Sequence, residues 1–90
     1  MSSKIQIKKL SKKELEKLEV FTWPIWEKEE SQFDWFYDEQ EQCYFLEGDV
    51  IVNTKDGEYH IKAGDFVIFP KNLHCTWTIK KKVRKHYNFG

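Results

Sequence analysis

Residues 64–77 read Gly64-Asp65-Phe66-Val67-Ile68-Phe69-Pro70-Lys71-Asn72-Leu73-His74-Cys75-Thr76-Trp77. Gly64 supplies the backbone freedom that a tight turn needs, and Pro70 ends a strand because it cannot donate to a ladder. Asn72 is one of the few residues that accept a left-handed conformation in a second turn. The stretch therefore predicts turn, strand, turn and strand. With the upstream stretch Glu41–Gly48, it indicates two hairpins of a small barrel.

Length and composition limit the class of protein. Ninety residues predict one domain, residues 1–90, and the seven Phe, four Tyr and four Trp can fill a small core. A net charge of zero with 33% charged residues argues against disorder and against a nucleic-acid partner. No apolar run suits a membrane span or a secretory signal. Two cysteines without an export signal favour reduced thiols and a cytoplasmic location.

The first 20 residues predict a strand and a short helix that precede a barrel at residues 21–90. Residues 4–8 alternate as a short strand with Ile5 and Ile7 on one face. Ser11 and Glu14 form a capping box, and Leu15 begins the apolar stripe of a helix of one or two turns. We expect this segment to cover the outside of the domain.

The remaining sequence predicts short strands separated by turns at a spacing of roughly 8 to 12 residues, which is typical of an all-β sandwich or barrel. Residues 21–26 suit an extended edge segment, and residues 27–32 suit a loop. Strands are predicted at 33–37, 41–46, 50–54, 59–61, 66–69, 75–79 and 83–87, with a turn at Glu47-Gly48-Asp49 and a hairpin turn at 55–58.

Two groups of residues resemble the cupin motifs. Glu41 and Gly48 are similar to the end of the first motif, and Gly64, Pro70, Asn72 and Cys75 are similar to the start of the second. Further short stretches resemble the cupin-3 type, the group that shares its domain with ureidoglycine aminohydrolase: Trp23-Pro24, Phe33-Asp34-Trp35, Tyr44-Phe45-Leu46-Glu47-Gly48, Ala63-Gly64-Asp65, Phe69-Pro70 and Arg84-Lys85. The resemblance covers residues 21–88 and implies a cupin-type, RmlC-like jelly-roll β-barrel.

The resemblance also implies where metal ligands would lie. The two histidines that precede the glutamate in the cupin pattern are replaced by Trp35 and Tyr37, and the third histidine is replaced by Cys75. Only Glu41 is retained, whereas a catalytic zinc site usually has three protein ligands. We therefore expect no metal and no cofactor. The alternative is a divalent metal held by Glu41 and Cys75, with Tyr37 as a phenolate.

Strand alternation predicts which side chains face the interior. If Glu41 points inward, Cys43 and Phe45 follow it on the same strand. The residues on such faces that we expect to contact a small molecule are Trp35, Tyr37, Glu41, Cys43, Cys75, Trp77, Lys85 and Tyr87. Aromatic walls with a few polar groups are typical of a small-molecule pocket. The alternatives are a barrel filled by its aromatics and a purely structural ion pair between Glu41 and Lys85.

Two surfaces remain to be explained. The basic run at residues 80–86 is typical of a solvated edge strand. The opposite face carries Phe36, Tyr44 and Leu46, which need cover from the N-terminal segment or from a second copy in a homodimer. The expected function is binding of an unidentified small molecule by a cupin with a degraded metal centre. The alternatives are a metal-dependent enzyme similar to ureidoglycine aminohydrolase and a structural or partner-binding module, and no catalytic residue is assigned.

Overall fold

The computed structural model describes residues 4–89. Its elements in chain order are β1 (Gln6–Lys8), α1 (Lys12–Lys17), a 3₁₀ turn (Val20–Thr22), β2 (Ile25–Lys28), β3 (Ser31–Tyr37), β4 (Glu41–Thr54), β5 (Gly57–Lys62), β6 (Phe66–Phe69) and β7 (Leu73–Phe89). The fold is therefore all-β with a short N-terminal helix, as expected. The loop predicted at residues 27–32 is wrong because β2 and β3 leave only two residues between them.

All seven strands belong to one antiparallel sheet in which β4 and β7 are the long central strands. Strands β6 and β5 lie end to end along β4, and β2 and β3 lie end to end along β7. This arrangement gives two half-sheets that share β4 and β7. One has the order β1-β6-β4-β7-β2, and the other has the order β5-β4-β7-β3.

The two half-sheets meet where β4 and β7 are irregular. The register between these strands shifts at Phe45/Glu47, at Glu47/Asp49 and at Asp49/Val50. Gly48 has a φ of +131°, and a Cβ added to it would lie 2.9 Å from Cγ2 of Val83. The turn predicted at Glu47-Gly48-Asp49 is therefore wrong: the strand continues through a bulge, which bends it without ending it. Strand β7 likewise runs unbroken through residues 80–82, where the sequence predicted a gap.

The core lies between the two half-sheets. Trp77 of one half-sheet has its ring centroid 6.2 Å from Phe45 and 5.7 Å from Phe69 of the other. Tyr37 stacks on Phe69 at 4.7 Å with an interplanar angle of 7°. Among residues 4–89 no ladder joins β5 to β6 or β2 to β3, so hydrogen bonds do not close the predicted barrel.

The stretch at residues 64–77 folds as its residues dictate. The Asp65 carboxylate accepts the backbone N–H of Lys62 at 2.8 Å and pairs with Lys9 of the N-terminal segment. Asn72 adopts the left-handed conformation with a φ of +68° and donates its backbone N–H to the carbonyl of Tyr37 at 2.6 Å. The two predicted turns are confirmed.

The N-terminal segment covers part of the outer face of the sheet. Ser11 and Glu14 form the predicted capping box, and Leu15 packs with Val20 and Phe66 in a second apolar cluster that Tyr44 also joins. The strand is shorter than predicted, and Ile5 is buried whereas Ile7 is exposed. Across residues 4–89, no helix has the length and apolar character to cross a bilayer.

Candidate functional site

A cavity of about 530 Å³ opens at the edge formed by β2, β3 and the ends of β4 and β7. Its size falls in the range of about 300–1,000 Å³ that is usual for small-molecule sites. Six of the eight predicted site residues line it: Trp35, Tyr37, Glu41, Trp77, Lys85 and Tyr87. Trp26, Glu27, Lys28, Phe33 and Phe89 complete the lining.

The floor of the cavity is a buried ion pair. Lys85 is only 4% exposed, and its Nζ donates to Oε2 of Glu41 at 3.3 Å and to Sγ of Cys43 at 3.2 Å. Alternation along β7 and β4 sets this geometry, because Lys85 pairs with Phe45 in the ladder and Cys43 pairs with Tyr87. A buried charge is tolerated only when it is paired and hydrogen-bonded, and both conditions are met here.

Aromatic rings enclose the ammonium of Lys85. Its Nζ lies 4.9 Å from the ring centroid of Trp77 and 5.0 Å from that of Trp26, with Phe45 and Phe69 each at 5.7 Å. A cation near the face of an indole is attracted by the ring quadrupole, and the attraction is strongest where water is excluded. These contacts offset part of the desolvation cost of the buried lysine.

Burial determines the protonation states around Lys85. Removal from water raises the pKa of the Cys43 thiol from 9.0 to about 12, although the Lys85 ammonium opposes that rise. For Lys85, burial lowers the pKa, but interactions with Cys43 and Glu41 outweigh burial, so its pKa is raised. At neutral pH Cys43 is therefore a neutral thiol and Lys85 is a cation.

Tyr37 and Trp77 supply the other polar groups. Burial raises the pKa of Tyr37 well above 10, and the negative charge of Glu41 adds to the rise, so the hydroxyl stays protonated. The indole Nε1 of Trp77 is buried and makes no hydrogen bond of ordinary length within residues 4–89. The same N–H still interacts with Tyr37 and Cys75, and this interaction opposes the rise in the pKa of both groups.

The rim is wetter than the floor. Trp35 is 52% exposed and meets Phe33 and Tyr37 edge to face at centroid distances of 6.4 Å. Lys28 places its Nζ 5.7 Å from the ring centroid of Phe33. Trp35 is therefore a residue of the cavity mouth rather than of its buried floor.

Two predicted site residues lie outside the cavity lining. Cys43 is fully buried behind Lys85 and reaches the cavity only through that ammonium. Cys75 also faces inward, but it lines a second groove on β3 and β7 together with Asp34 and His74. Burial raises the pKa of Cys75 to about 11, so this thiol is neutral and is not an activated nucleophile. Both cysteines are free thiols.

The sequence reasoning did not find Trp26 and Phe33 as cavity residues. Trp26 pairs with Lys85 in the β2–β7 ladder, and its ring meets that of Trp77 at 5.9 Å. Phe33 stacks on Trp77 at 5.9 Å with an interplanar angle of 20°. The alternation of Phe33, Trp35 and Tyr37 was a usable signal for Phe33. Trp26 lies two residues after Pro24, in a segment without alternating aromatic residues, so no pattern indicated it.

The histidines lie away from the cavity. His74 is exposed whereas its neighbour Cys75 is buried, and the His74 ring meets that of Phe36 with centroids 4.6 Å apart. His86 is buried, and its Nδ1 lies 2.9 Å from the carbonyl oxygen of Trp23. None of the histidines within residues 4–89 lines the cavity.

The residues at the cavity do not fit the metal that the cupin pattern implies. Within the described part of the chain, no group of three or more His, Cys, Asp or Glu is arranged to hold a metal ion. Glu41 is already paired with an ammonium, and burial keeps Tyr37 and Cys75 protonated. A divalent cation at this place would lie next to the Lys85 ammonium and compete with it for the carboxylate of Glu41. We therefore assign no role to a metal.

Comparison with known structures defines the class of this protein. The chain is similar to a DUF861 family protein from Thermotoga maritima with 52% identity and a TM-score of 0.94, over 97% of this chain and 100% of that one. It is also similar to a putative ethanolamine utilization protein EutQ from Salmonella typhimurium, with 25% identity and a TM-score of 0.66, over 72% of this chain and 53% of that one. The EutQ protein of Clostridium difficile has the same fold with 20% identity and a TM-score of 0.66, over 72% of this chain and 52% of that one. The protein is therefore a cupin-fold domain.

The family follows from a second comparison. The family model of the EutQ-like cupin domain, Cupin_3, matches residues 15–87, and the chain belongs to this family. The resemblance to the cupin-3 type is thus confirmed, and its narrower likeness to ureidoglycine aminohydrolase stays a prediction. Among curated proteins the chain has no match.

Proposed function

We propose that this chain binds a small molecule in the cavity at the β2–β3 edge, with the Lys85–Glu41 pair as its polar floor. We also infer that the two half-sheets are the walls of a jelly-roll barrel and that the cavity is its mouth. The observation that carries the proposal is the buried Trp77 N–H, which makes no hydrogen bond of ordinary geometry within residues 4–89 and belongs to a ring whose centroid lies 4.9 Å from the Lys85 ammonium. Buried donors in native structures normally have a partner, and a bound acceptor would provide one.

Two features support binding over a barrel that its own side chains fill. The cavity of about 530 Å³ has room for a ring-sized molecule. Its walls combine aromatic surface with a few polar groups, which is the usual composition of a ligand site. In a filled core, the same aromatic residues would leave no such volume.

An enzymatic role has no comparable support. The alternative similar to ureidoglycine aminohydrolase depends on a metal, and the donor atoms at the cavity do not fit one. A nucleophilic cysteine would need a lowered thiol pKa, whereas burial raises the pKa of Cys43 and of Cys75. We therefore assign no catalytic residue.

The proposal does not draw on the names of the similar proteins. The name of the Salmonella protein refers to ethanolamine utilization. This chain spans only about half of that protein's length, so the name is not transferred to it. A cytoplasmic location remains part of the proposal, and it is supported by two free thiols, which suit a reducing compartment.

The experiment that tests binding uses the four indole N–H groups of the chain as reporters. Trp26, Trp35 and Trp77 line the cavity, whereas Trp23 packs against Phe66 in the second cluster and serves as an internal control. We would record two-dimensional NMR spectra of the full chain against a library of small polar and aromatic compounds.

The expected result is a saturable shift of the Trp77 and Trp26 indole signals with little change at Trp23. A matched variant, Lys85→Met with Glu41→Gln, removes both charges while keeping similar side-chain volumes, and it should alter the affinity of the compounds that bind. A library without a saturable binder, or one whose members shift the Trp23 signal as much as the others, would overturn the proposal.

A further inference from the structure

The charges and hydrogen-bond donors of the cavity indicate the chemistry of its occupant. We infer that the ligand is an uncharged molecule that presents a carbonyl oxygen of the amide class to the cavity floor, next to a flat apolar ring. The inference rests on the proposed function, because it concerns the same cavity. It adds that an anion of the same shape is disfavoured.

The charges at the cavity floor balance. The Lys85 ammonium lies 3.3 Å from the Glu41 carboxylate, so one positive and one negative charge already cancel at the floor. Cys43 and Tyr37 stay neutral at neutral pH because burial keeps them protonated. The buried floor therefore has no net charge to offer a ligand ion.

The rim does not change this balance. The carboxylate of Glu27 pairs with Nε of Arg84 at 3.3 Å. Lys28 is exposed on β2, where solvent and salt screen its charge. Tyr87 adds a phenol ring to the lining. The opening to the cavity is thus close to neutral as well.

An anionic ligand would therefore leave one negative charge uncompensated beside Glu41. Desolvating a charge without a partner is costly, and two carboxylates beside one ammonium also repel each other. A neutral acceptor oxygen avoids both costs. The structure therefore favours a carbonyl over a carboxylate at the floor.

The available donors match such an oxygen. The indole N–H of Trp77 makes no hydrogen bond of ordinary geometry within residues 4–89, although it interacts weakly with Tyr37 and Cys75. The ammonium of Lys85 directs two of its three protons to Glu41 and Cys43. A carbonyl oxygen has two lone pairs, so it can accept from an indole and an ammonium at once.

The walls match a flat apolar group. Trp26 meets Trp77 edge to face with centroids 5.9 Å apart, while the mouth is formed by the half-exposed ring of Trp35. Aromatic rings gain from stacking or edge contacts with another ring, beyond the area that they bury. A carbonyl attached to a small unsaturated ring would use both the floor and the walls.

Benzamide and benzoate form a matched pair of probes for this inference, since they share a ring and a shape and differ in charge. We would titrate each into the full chain at neutral pH and follow the indole signals of Trp77 and Trp23. Benzamide should bind at least about tenfold more tightly than benzoate, which corresponds to the loss of a single favourable interaction.

Two variants sharpen the test. Glu41→Gln leaves Lys85 without its carboxylate, so benzoate should then bind more tightly than benzamide. Trp77→Phe keeps an aromatic ring and removes the N–H, so benzamide should weaken several-fold. If Glu41→Gln does not fold, the double variant Lys85→Met with Glu41→Gln has an uncharged floor and should keep the preference for benzamide.

The outcomes separate this inference from the proposed function. If benzoate binds the unmodified chain as tightly as benzamide, or neither compound binds while other library members do, the amide inference is wrong and the binding function stands. If no compound of any class binds, both fail. A benzamide preference that Glu41→Gln leaves unchanged would also overturn the inference, because the preference would not depend on charge.

Discussion

Lys85 is a buried cation that depends on the groups around it. Its ammonium is buried between indole rings and pairs with one carboxylate. Strand alternation predicts that Lys85 and Glu41 both face the interior. An ion pair between them is one of the alternatives that this placement allows. The alternation could not predict that rings from both half-sheets enclose the cation, because strand order and curvature decide that.

The first prediction concerns this pair. Lys85→Met should lower the free energy of unfolding by about 3–5 kcal/mol, because Glu41 would remain buried without a partner charge. Adding Glu41→Gln should restore most of the loss, since the floor is then uncharged. Urea unfolding of the chain, both single variants and the double variant gives the coupling energy. Additive losses would contradict a direct interaction between the two side chains.

The second prediction concerns the thiols. The folded state raises the pKa of Cys43 from 9.0 to about 12 and that of Cys75 from 9.0 to about 11. Both thiols therefore contribute stability below about pH 9, and that contribution is lost as the pH rises toward the folded values, because the unfolded chain releases its protons first. The free energy of unfolding should fall steadily above about pH 9.

The thiol absorbance in the ultraviolet measures this directly. At about pH 10, the native chain should show little thiolate, and unfolding in urea should make the thiolate signal appear. A Cys75→Ala variant serves as the control, because it should keep the more strongly shifted titration of Cys43. Native thiols that ionise together with the unfolded ones would contradict the prediction.

At the scale of elements, the bend shared by β4 and β7 is the feature that the sequence concealed. Glu47-Gly48-Asp49 has the composition of a turn, yet the ladder to β7 resumes on its far side. The local sequence shows that Gly48 can adopt unusual dihedral angles. It does not show that Gly48 lies too close to Val83 to carry a side chain. The lysines at residues 80–82 predict a gap between strands for the same reason, since pairing with β4 is a long-range property that composition does not record.

Other elements followed from local rules and were predicted correctly. The capping box fixed the start of α1, and β6 has the predicted bounds, residues 66–69. A hairpin turn does join β4 to β5, but it is shorter than the predicted 55–58: only Lys55 and Asp56 lie in the loop, and Gly57 and Glu58 already pair with β4. The backbone preferences of the residues at the ends of these elements set their bounds. Distant contacts are therefore not needed to predict them.

The third prediction compares two glycines that share a φ of +131°. Gly57→Ala meets no atom within 4 Å, so it should cost only the backbone strain, about 1–3 kcal/mol. Gly48→Ala has the same strain and also places its Cβ 2.9 Å from Val83, so it should cost more. The comparison of the two free energies of unfolding isolates the steric part. Equal losses would contradict a close approach at the bend.

The fourth prediction concerns helix α1 and the residue that follows it. Leu15 is 3% exposed and Leu18 is 44% exposed, although they lie three residues apart. Leu15→Ala should lower the free energy of unfolding by about 2–5 kcal/mol, because it leaves a cavity in the second cluster. Leu18→Ala should stay within about 0.5 kcal/mol of the unmodified chain. Similar effects of the two would show that the N-terminal segment does not pack as described.

At the scale of the whole molecule, the homodimer expected from the sequence stays a prediction. The N-terminal segment packs against Tyr44 and covers it. Less apolar surface therefore remains for a second copy than the sequence suggested. Phe36, which lies on β3 in the other half-sheet and outside that cluster, is 46% exposed. We expect light scattering to give a monomer mass at low concentration and a rise at high concentration, and we expect Phe36→Ser to suppress that rise. A fixed dimer mass at all concentrations would contradict this expectation.

The sharing of β4 and β7 has a consequence for how the protein opens. Each half-sheet takes its two middle strands from these same two segments, so neither half can separate from the other as an independent unit. Hydrogen exchange of the backbone amides should therefore give one common opening free energy for both ends of β4 and of β7, while the outer strands β1 and β5 exchange at lower cost. The walls of the cavity would then persist or be lost together, and a ligand that contacts one half-sheet would slow exchange in both.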